Sequence, residues 1–401
     1  MKKTYKIACI GNTNHSLFCI ARYLRDQGYD AHLLLLNEPD HFLPGADSYD
    51  KEYQSYTTQL DWETIGWWYL SKKKIKKDLE SYDFILGCGY TPAYLYKANI
   101  HLDIFVFIGG DLILWPFYKI KHFPPSKADI GNYLYARAQK KGIEDASYIL
   151  MDYTSEEYEE VLHKFSFKGK RLKLPAPFIY LSQYNSSLDN IQKSKYYSEF
   201  LSIRNSFDFM IFHHARHEWT NPAIEGYNYK ANDKLLLGFA EFLKQNKMVN
   251  TCLVLFEYGN DVQASKKYIQ ELGIETHIKW FPKMHRRELV AGITLSDLGV
   301  GEFGYSWFSY GVIFECMAFG VPVMHFRNDS EYKGHYPEMY PMYNANSSKQ
   351  ITDVLNQLIS QPAGFRETGK LAQKWFMNYA IDRPVNELIK AIEVKRKKKN
   401  H

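Results

Sequence analysis

The sequence predicts an α/β protein built from two doubly wound halves, and three observations carry that expectation. Short apolar runs alternate with helical patterning from residue 5 to residue 151. The alternation lapses over 178–206, a polar stretch rich in Ser, Asn, Gln and Tyr, and resumes over 209–326. At 401 residues the chain is long enough for two domains with separate hydrophobic cores.

The elements follow in order. Residues 5–11 (YKIACIG) read as a buried strand closed by a glycine turn. Residues 15–27 then space Leu17, Ile20, Ala21 and Leu24 along one helical face. Further apolar strands are expected at 32–36, 84–87, 104–108 and 148–151, with helical stretches between most of them. That is the rhythm of a parallel sheet with crossover helices. In the second half, strands at 209–212, 252–256, 277–281, 298–301 and 321–326 alternate with helices at 231–245, 262–272, 285–292 and 311–319. Helical patterning returns from 348 to 394, interrupted by Pro362 and Pro384. The expected organisation is a first domain at 1–178, a linker at 179–206, a second domain at 207–375, and a helix crossing back with a basic tail at 376–401.

Composition narrows the function. Apolar residues make up 45% and charged residues 24%, as in ordinary globular proteins; the aromatic share is 16%, with 32 Tyr. The net charge of +5 is concentrated in two clusters, Lys72, Lys73, Lys74, Lys76 and Lys77, and Lys395 to Lys399. Setting these ten aside from the 50 basic residues leaves 40 against 45 acidic ones, so a general nucleic-acid-binding surface is not expected. The five cysteines show no C-x-x-C spacing and read as buried thiols of a reducing compartment. No signal peptide and no apolar run of membrane-spanning length is visible, and a cytoplasmic, intracellular protein is expected. Only Gly11 of a G-x-G-x-x-G fingerprint is present, which speaks against a dinucleotide cofactor. No H-x-x-x-H or D-x-D pattern suggests a metal.

The most informative segment is 299–323, GVGEFGYSWFSYGVIFECMAFGVPV. A glycine- and aromatic-rich loop enters a short helix that stops at Gly320, before an apolar strand. The helix N-terminus at Tyr310, Gly311 and Val312 offers unpaired backbone N–H groups to an anionic phosphate. Glu315 lies one turn further on, where an ionised carboxylate can accept from both hydroxyls of a ribose.

Phe314-Glu315-Cys316-Met317-Ala318-Phe319-Gly320-Val321-Pro322-Val323 closely resembles the E-x-M-A-x-G-x-P-V segment of retaining glycosyltransferases of the GT-B fold, family four. The resemblance covers most of 209–326 and implies two Rossmann-like domains facing a cleft. It also implies that Glu315 holds the donor ribose, and that Arg216 and Lys230 bind the donor diphosphate. These two follow the strand 209–212 and precede the helix 231–245, 14 residues apart. Lys283 and Met284, after Trp280-Phe281-Pro282, match the loop that cradles the nucleotide base. Family members often place a second glutamate eight residues before the ribose glutamate; Trp307 stands there, and Glu302, thirteen before in Gly301-Glu302-Phe303-Gly304, is the candidate for the sugar contact, with Gly304 beside it. In the first half the resemblance weakens. Gly11 and Asn12 form the turn expected to face the donor. His15 and Asp111 are the acceptor-side and catalytic candidates, Asp111 standing where relatives often carry a histidine. The implied activity is metal-independent transfer of a hexose, with retention, from a UDP- or GDP-sugar to a hydroxyl of a glycan, glycoprotein or lipid-linked acceptor, without a cofactor. The alternatives are a non-catalytic nucleotide- or glycan-binding partner subunit and a nucleotide-sugar epimerase. The two basic clusters add the expectation of a peripheral contact with an anionic membrane.

Overall fold

The computed structural model describes residues 5–120, 123–152, 156–185, 189–221 and 228–400. The chain forms two compact units, Met1–Tyr180 with Asn378–His401, and Leu181–Met377.

The first unit is a seven-stranded sheet in the order β3-β2-β1-β4-β5-β6-β7. Its strands are β1 Lys6–Ile10, β2 Asp30–Leu35, β3 Thr57–Gln59, β4 Phe84–Gly87, β5 Ile104–Val106, β6 Tyr148–Leu150 and β7 Lys170–Leu172, and every pairing is parallel. The order reverses between β1 and β4, which opens a crevice beyond their carboxyl ends. Gly11 closes β1 at φ +84°, where an added side chain would meet Cys88 Sγ at 2.9 Å. A larger residue is excluded there by both backbone and space.

Each face of this sheet is covered, as an all-parallel sheet requires. On one face the helices Lys72–Leu79, Thr91–Ala98 and Lys127–Glu144 bury Ile75, Leu95 and Ile143. On the other lie the Ser16–Asp26 helix and the C-terminal helix Arg383–Asn400, with Leu388, Ala391 and Ile392 in the core. Two tail lysines also clamp the C-terminal helix in place. Lys395 Nζ lies 2.7 Å from Asp103 Oδ2, and Lys399 Nζ 2.5 Å from Asp83 Oδ1. Asp103 and Asp83 in turn accept from the backbone N–H groups of Ile85 and Lys6. The basic clusters expected to meet an anionic surface do come together, since Lys76 and Lys395 line one recess of about 340 Å³. Glu80 and Asp83 line it too, so its charge is mixed.

The second unit is a six-stranded parallel sheet in the order β10-β9-β8-β11-β12-β13. Its strands are β8 Phe209–Phe212, β9 Thr251–Glu257, β10 Ile278–Pro282, β11 Leu298–Val300, β12 Val323–His325 and β13 Tyr343–Asn344. Residues expected as a linker are largely helical and belong to this unit. Phe200, on the helix Tyr197–Ser206, is buried against Phe212 and Phe281. The Ser194 hydroxyl and the Lys195 N–H both donate to Glu288. Pro362 starts the helix Pro362–Phe376, where the missing N–H is harmless, and Pro384 follows a π-helical segment, Met377–Asp382, that runs into the helix Arg383–Asn400.

The tail helix is therefore expected to be integral to the first unit. Leu388→Ala, at a fully buried position, is expected to lower stability by about 2–5 kcal/mol in urea unfolding. Lys397→Ala, on the exposed side, is expected to change it by less than about 0.5 kcal/mol. Equal, small effects would show that the helix docks only loosely.

Candidate functional site

In the second unit, the loop after β11 folds back on itself before entering the helix Gly311–Ala318. A side chain at Gly301 would collide with the Tyr310 hydroxyl, and that hydroxyl accepts from the Glu302 N–H at 2.8 Å. Tyr310, with extended backbone, is the residue before the helix, and no side chain caps it. Gly311 is exposed and Val312 half-buried. The first backbone N–H groups therefore face outward, as an anion site requires.

Glu315, one turn into this helix, is buried and carries two partners. Arg286 Nε lies 2.7 Å from Oε1 and His214 Nε2 lies 2.8 Å from Oε2. Burial opposes ionisation of Glu315, but Arg286 and His214 outweigh it and hold the carboxyl down at about 2. The carboxylate expected to hold a ribose is an ionised member of a buried cluster. One lone pair per oxygen remains for a ligand hydroxyl. His214 Nδ1 is buried and has no hydrogen-bond partner among the described residues. Arg286, at the start of the helix Arg286–Leu295, was not singled out from the sequence. The run His285-Arg286-Arg287 after β10 was the available signal.

Lys230 and Glu302 form a second buried pair, with Nζ 2.8 Å from Oε2. Trp307 Nε1 donates to the same oxygen at 3.0 Å. Trp307 is thereby hydrogen-bonded to Glu302, the candidate for the sugar contact. Burial raises the Glu302 carboxyl from its usual value, against the pull of Lys230. Glu302 Oε1 has no hydrogen-bond partner among the described residues and is not sealed off. Arg216 is half-buried, its charge is felt by Glu302, and it makes no ion pair among the described residues. Lys230 is strapped between two loops: its N–H donates to the Glu218 carbonyl, and its own carbonyl accepts from Phe303. Gly304 packs against the Tyr229 carbonyl, where a side chain would collide, so its smallness serves loop packing.

Behind these cations sits a neutral histidine layer. Asn232 Nδ2 donates to His213 Nε2 at 2.9 Å, so the His213 proton is on Nδ1, 3.0 Å from the Val300 carbonyl. His217 Nδ1 lies 2.8 Å from Ser265 Oγ. Burial lowers His213 to about 3 and His217 to about 4, so both are uncharged at neutral pH. Lys283 is exposed above the Tyr258 ring at 4.6 Å, and Met284 beside it is half-buried.

The remaining candidates belong to the first unit. Asn12 is fully buried and occupied internally: Nδ2 donates to the Phe42 carbonyl, Oδ1 accepts from Phe18 N–H, and its own N–H donates to Glu38 at 2.6 Å. Gly11 is enclosed by Cys88 and Glu38. Both make their contacts within the turn itself. His15 is buried at φ +61° and meets Phe42 edge to face. Asp111 staples two loops, accepting from Gly109 N–H at 2.8 Å and Gly89 N–H at 3.1 Å. It also lines a cavity of about 510 Å³ with Thr13, Tyr90, Trp115 and Tyr118. Burial raises Asp111 to about 6, and raises Glu38, missed from the sequence, to about 7.

No protein-family model matches the sequence, and no curated protein proves similar to it. Solved structures do. The Anabaena protein HepE in complex with UDP aligns with a TM-score of 0.60 at 15% identity, over 96% of this chain and 98% of that one. A sucrose-phosphate synthase from Thermosynechococcus elongatus aligns at 0.56 and 13%, over 99% and 98%. A UDP-GlcNAc 2-epimerase from Neisseria meningitidis, bound to UDP-GlcNAc, aligns at 0.55 and 12%, over 96% and 100%. At such identities the likeness establishes the fold, two Rossmann-like α/β units of the GT-B class with a helical C-terminal tail.

The buried histidines set a pH dependence. A histidine whose folded pKa is depressed stays neutral while the unfolded chain takes up its proton, so stability is lost as pH falls below the unfolded value near 6.5. Glu315 has the same sign over a lower range: its contribution is present above about 4.5 and is lost as pH falls toward about 2. Asp111 and Glu38, being raised, have the opposite sign. Between pH 6.5 and 5, His217→Gln is expected to lose about 1–2 kcal/mol less stability than the unsubstituted protein. Urea unfolding at the two pH values measures the difference, and parallel losses in both proteins would count against a neutral buried His217.

Proposed function

We propose that this protein is a retaining glycosyltransferase that moves a hexose from a nucleoside diphosphate sugar to an acceptor hydroxyl on a glycan, glycoprotein or lipid-linked molecule. The observation that carries the reading is one ensemble in the second unit: an uncapped helix N-terminus, an ionised Glu315 one turn behind it, and Arg216 and Lys230 around Glu302. The helix N-terminus takes one phosphate. Arg216 and Lys230 take the charge that builds on the leaving diphosphate, a role for which fixed cations suffice without a metal. Glu315 accepts a ribose hydroxyl through its remaining lone pairs, while Arg286 and His214 keep it charged and oriented. Oε1 of Glu302, which has no hydrogen-bond partner among the described residues, accepts a hydroxyl of the transferred sugar, as Lys230 shares its ammonium between Glu302 and the phosphate. Retention is supported by the likeness of 314–323 to the family-four segment, and the acceptor hydroxyl then enters from the face the diphosphate leaves.

A second reading, a nucleotide-sugar epimerase, is favoured by the alignment with the Neisseria enzyme. Incubation with UDP- and GDP-sugars, with and without candidate glycan acceptors, separates the two. Transfer predicts release of nucleoside diphosphate that depends on acceptor and persists in EDTA; an epimerised sugar formed without acceptor overturns it.

Two substitution tests follow. Loss of a charged hydrogen-bond acceptor costs ~1.5–3 kcal/mol, so Glu315→Gln is expected to weaken nucleoside diphosphate binding about ten- to a hundredfold in calorimetry. An unchanged affinity would remove Glu315 from the site. Arg216→Ala and Lys230→Ala are expected to combine non-additively in turnover, because both act on one charge distribution. Strictly additive losses would place them on separate tasks.

A further inference from the structure

The first unit exposes large apolar side chains in one stretch of its surface. Trp68 is 54% exposed, Tyr69 87%, Leu114 61% and Phe123 96%. On the helix Lys127–Glu144, Ile130, Tyr133 and Leu134 are also exposed, at the spacing of one helical face. These segments are neighbours. A side chain at Gly131 would meet Trp68 Nε1 at 2.8 Å, so the helix lies directly under the Trp68 loop. Trp115, next to Leu114, packs on Tyr135 of the same helix at 5.5 Å, and the Tyr118 hydroxyl donates to Asp129 at 3.0 Å. Apolar surface this concentrated marks a contact site.

The surrounding charge is predominantly positive, with Asp61 and Asp78 both paired to Lys74. Residues 66–77 contain no acidic residue, and residues 114–137 contain only Asp129, which is engaged by Ser126 and Tyr118. Lys72, Lys73, Lys119, Lys127 and Arg137 are exposed around the apolar residues. The Lys97 ammonium donates to the Trp67 and Trp68 carbonyls, and its pKa is lowered first by burial and then by the nearby Lys72 charge, which places the lysine helix Lys72–Leu79 beside the aromatic loop.

We infer that this face seats on the surface of an anionic lipid bilayer. Amphipathic rings such as Trp68, Tyr69 and Tyr133 suit the headgroup level, Phe123 and Leu114 reach into the acyl boundary, and the cations meet anionic headgroups. The mixed-charge recess under the C-terminal helix is not the contact. Leu114 also lines the 510 Å³ cavity, so a bilayer held here brings lipid headgroups to its mouth. The contact does not depend on the donor-site reading, and its failure would leave that reading untouched.

The test is cosedimentation of the full chain with phosphatidylcholine vesicles, with and without phosphatidylglycerol, at low and high salt. Three proteins are compared: unsubstituted, Tyr69→Ser/Phe123→Ser/Tyr133→Ser, and Lys397→Glu/Lys398→Glu on the tail helix. The exposed positions make misfolding an unnecessary risk, and circular dichroism checks it. Expected are binding to phosphatidylglycerol vesicles that salt weakens, loss of about tenfold or more in the serine variant, and full binding by the tail variant. Absence of binding at low salt, serine-variant binding equal to the unsubstituted protein, or a vesicle-free dimer abolished by the serine substitutions would overturn the inference; the last would make a second copy the occupant.

Discussion

The buried ionised carboxylate of Glu315 is the constraint around which the candidate-site end of the second unit is organised. A charge at that depth is tolerated only with partners, and Glu315 draws them from two other segments: His214 from the end of β8 and Arg286 from the start of the helix after β10. Three pieces of chain far apart in sequence are thereby fixed at one end of the sheet. The uncapped turn of the Gly311–Ala318 helix is held in the same place, because Glu315 is part of that helix.

The second buried pair repeats the logic with a different consequence. Lys230 and Glu302 neutralise each other, and Trp307 shares the carboxylate. Burial works against the charged form of Glu302, so a ligand that supplies new hydrogen bonds there replaces interactions the loop already makes at some cost. Arg216, by contrast, makes no ion pair among the described residues. One cation is stored in a pair and the other is available. Around them the histidine layer stays neutral, adding hydrogen-bonding geometry without adding competing charge. The first unit is tuned the opposite way. Its cavity is lined by rings and glycines, and its carboxylates, Asp111 and Glu38, are raised toward neutral pH by burial.

Legibility in the sequence followed the physical strength of each signal. Interior strands such as 209–212 and 252–256 were visible as continuous apolar runs because both faces of the sheet are covered. The edge strands β3, β7 and β13 carry two or three residues each and leave no period to detect. The helix Tyr197–Ser206 was hidden because only Phe200 and Ile203 are buried on it, while the rest of its surface is polar. The tail helix was read correctly, but the pairing of Lys395 and Lys399 with Asp103 and Asp83 was not, since nothing local announces a partner about 300 residues away.

By itself the sequence determined the two α/β halves and the glycine-bounded loop and helix at 299–320, because these rest on period, turn chemistry and local spacing. Tertiary structure alone decided which charges are spent. Glu315 and Arg286, or Lys230 and Glu302, read the same in one dimension whether paired or free. Asn12 follows the first strand in a turn read from sequence as facing a ligand, and only the fold shows both polar atoms of its side chain bonded internally. The exposed rings at Trp68, Tyr69 and Phe123 were likewise indistinguishable from core aromatics in composition. Burial and pairing are properties of neighbours in space, and a side chain's charge state, availability and exposure follow from those neighbours.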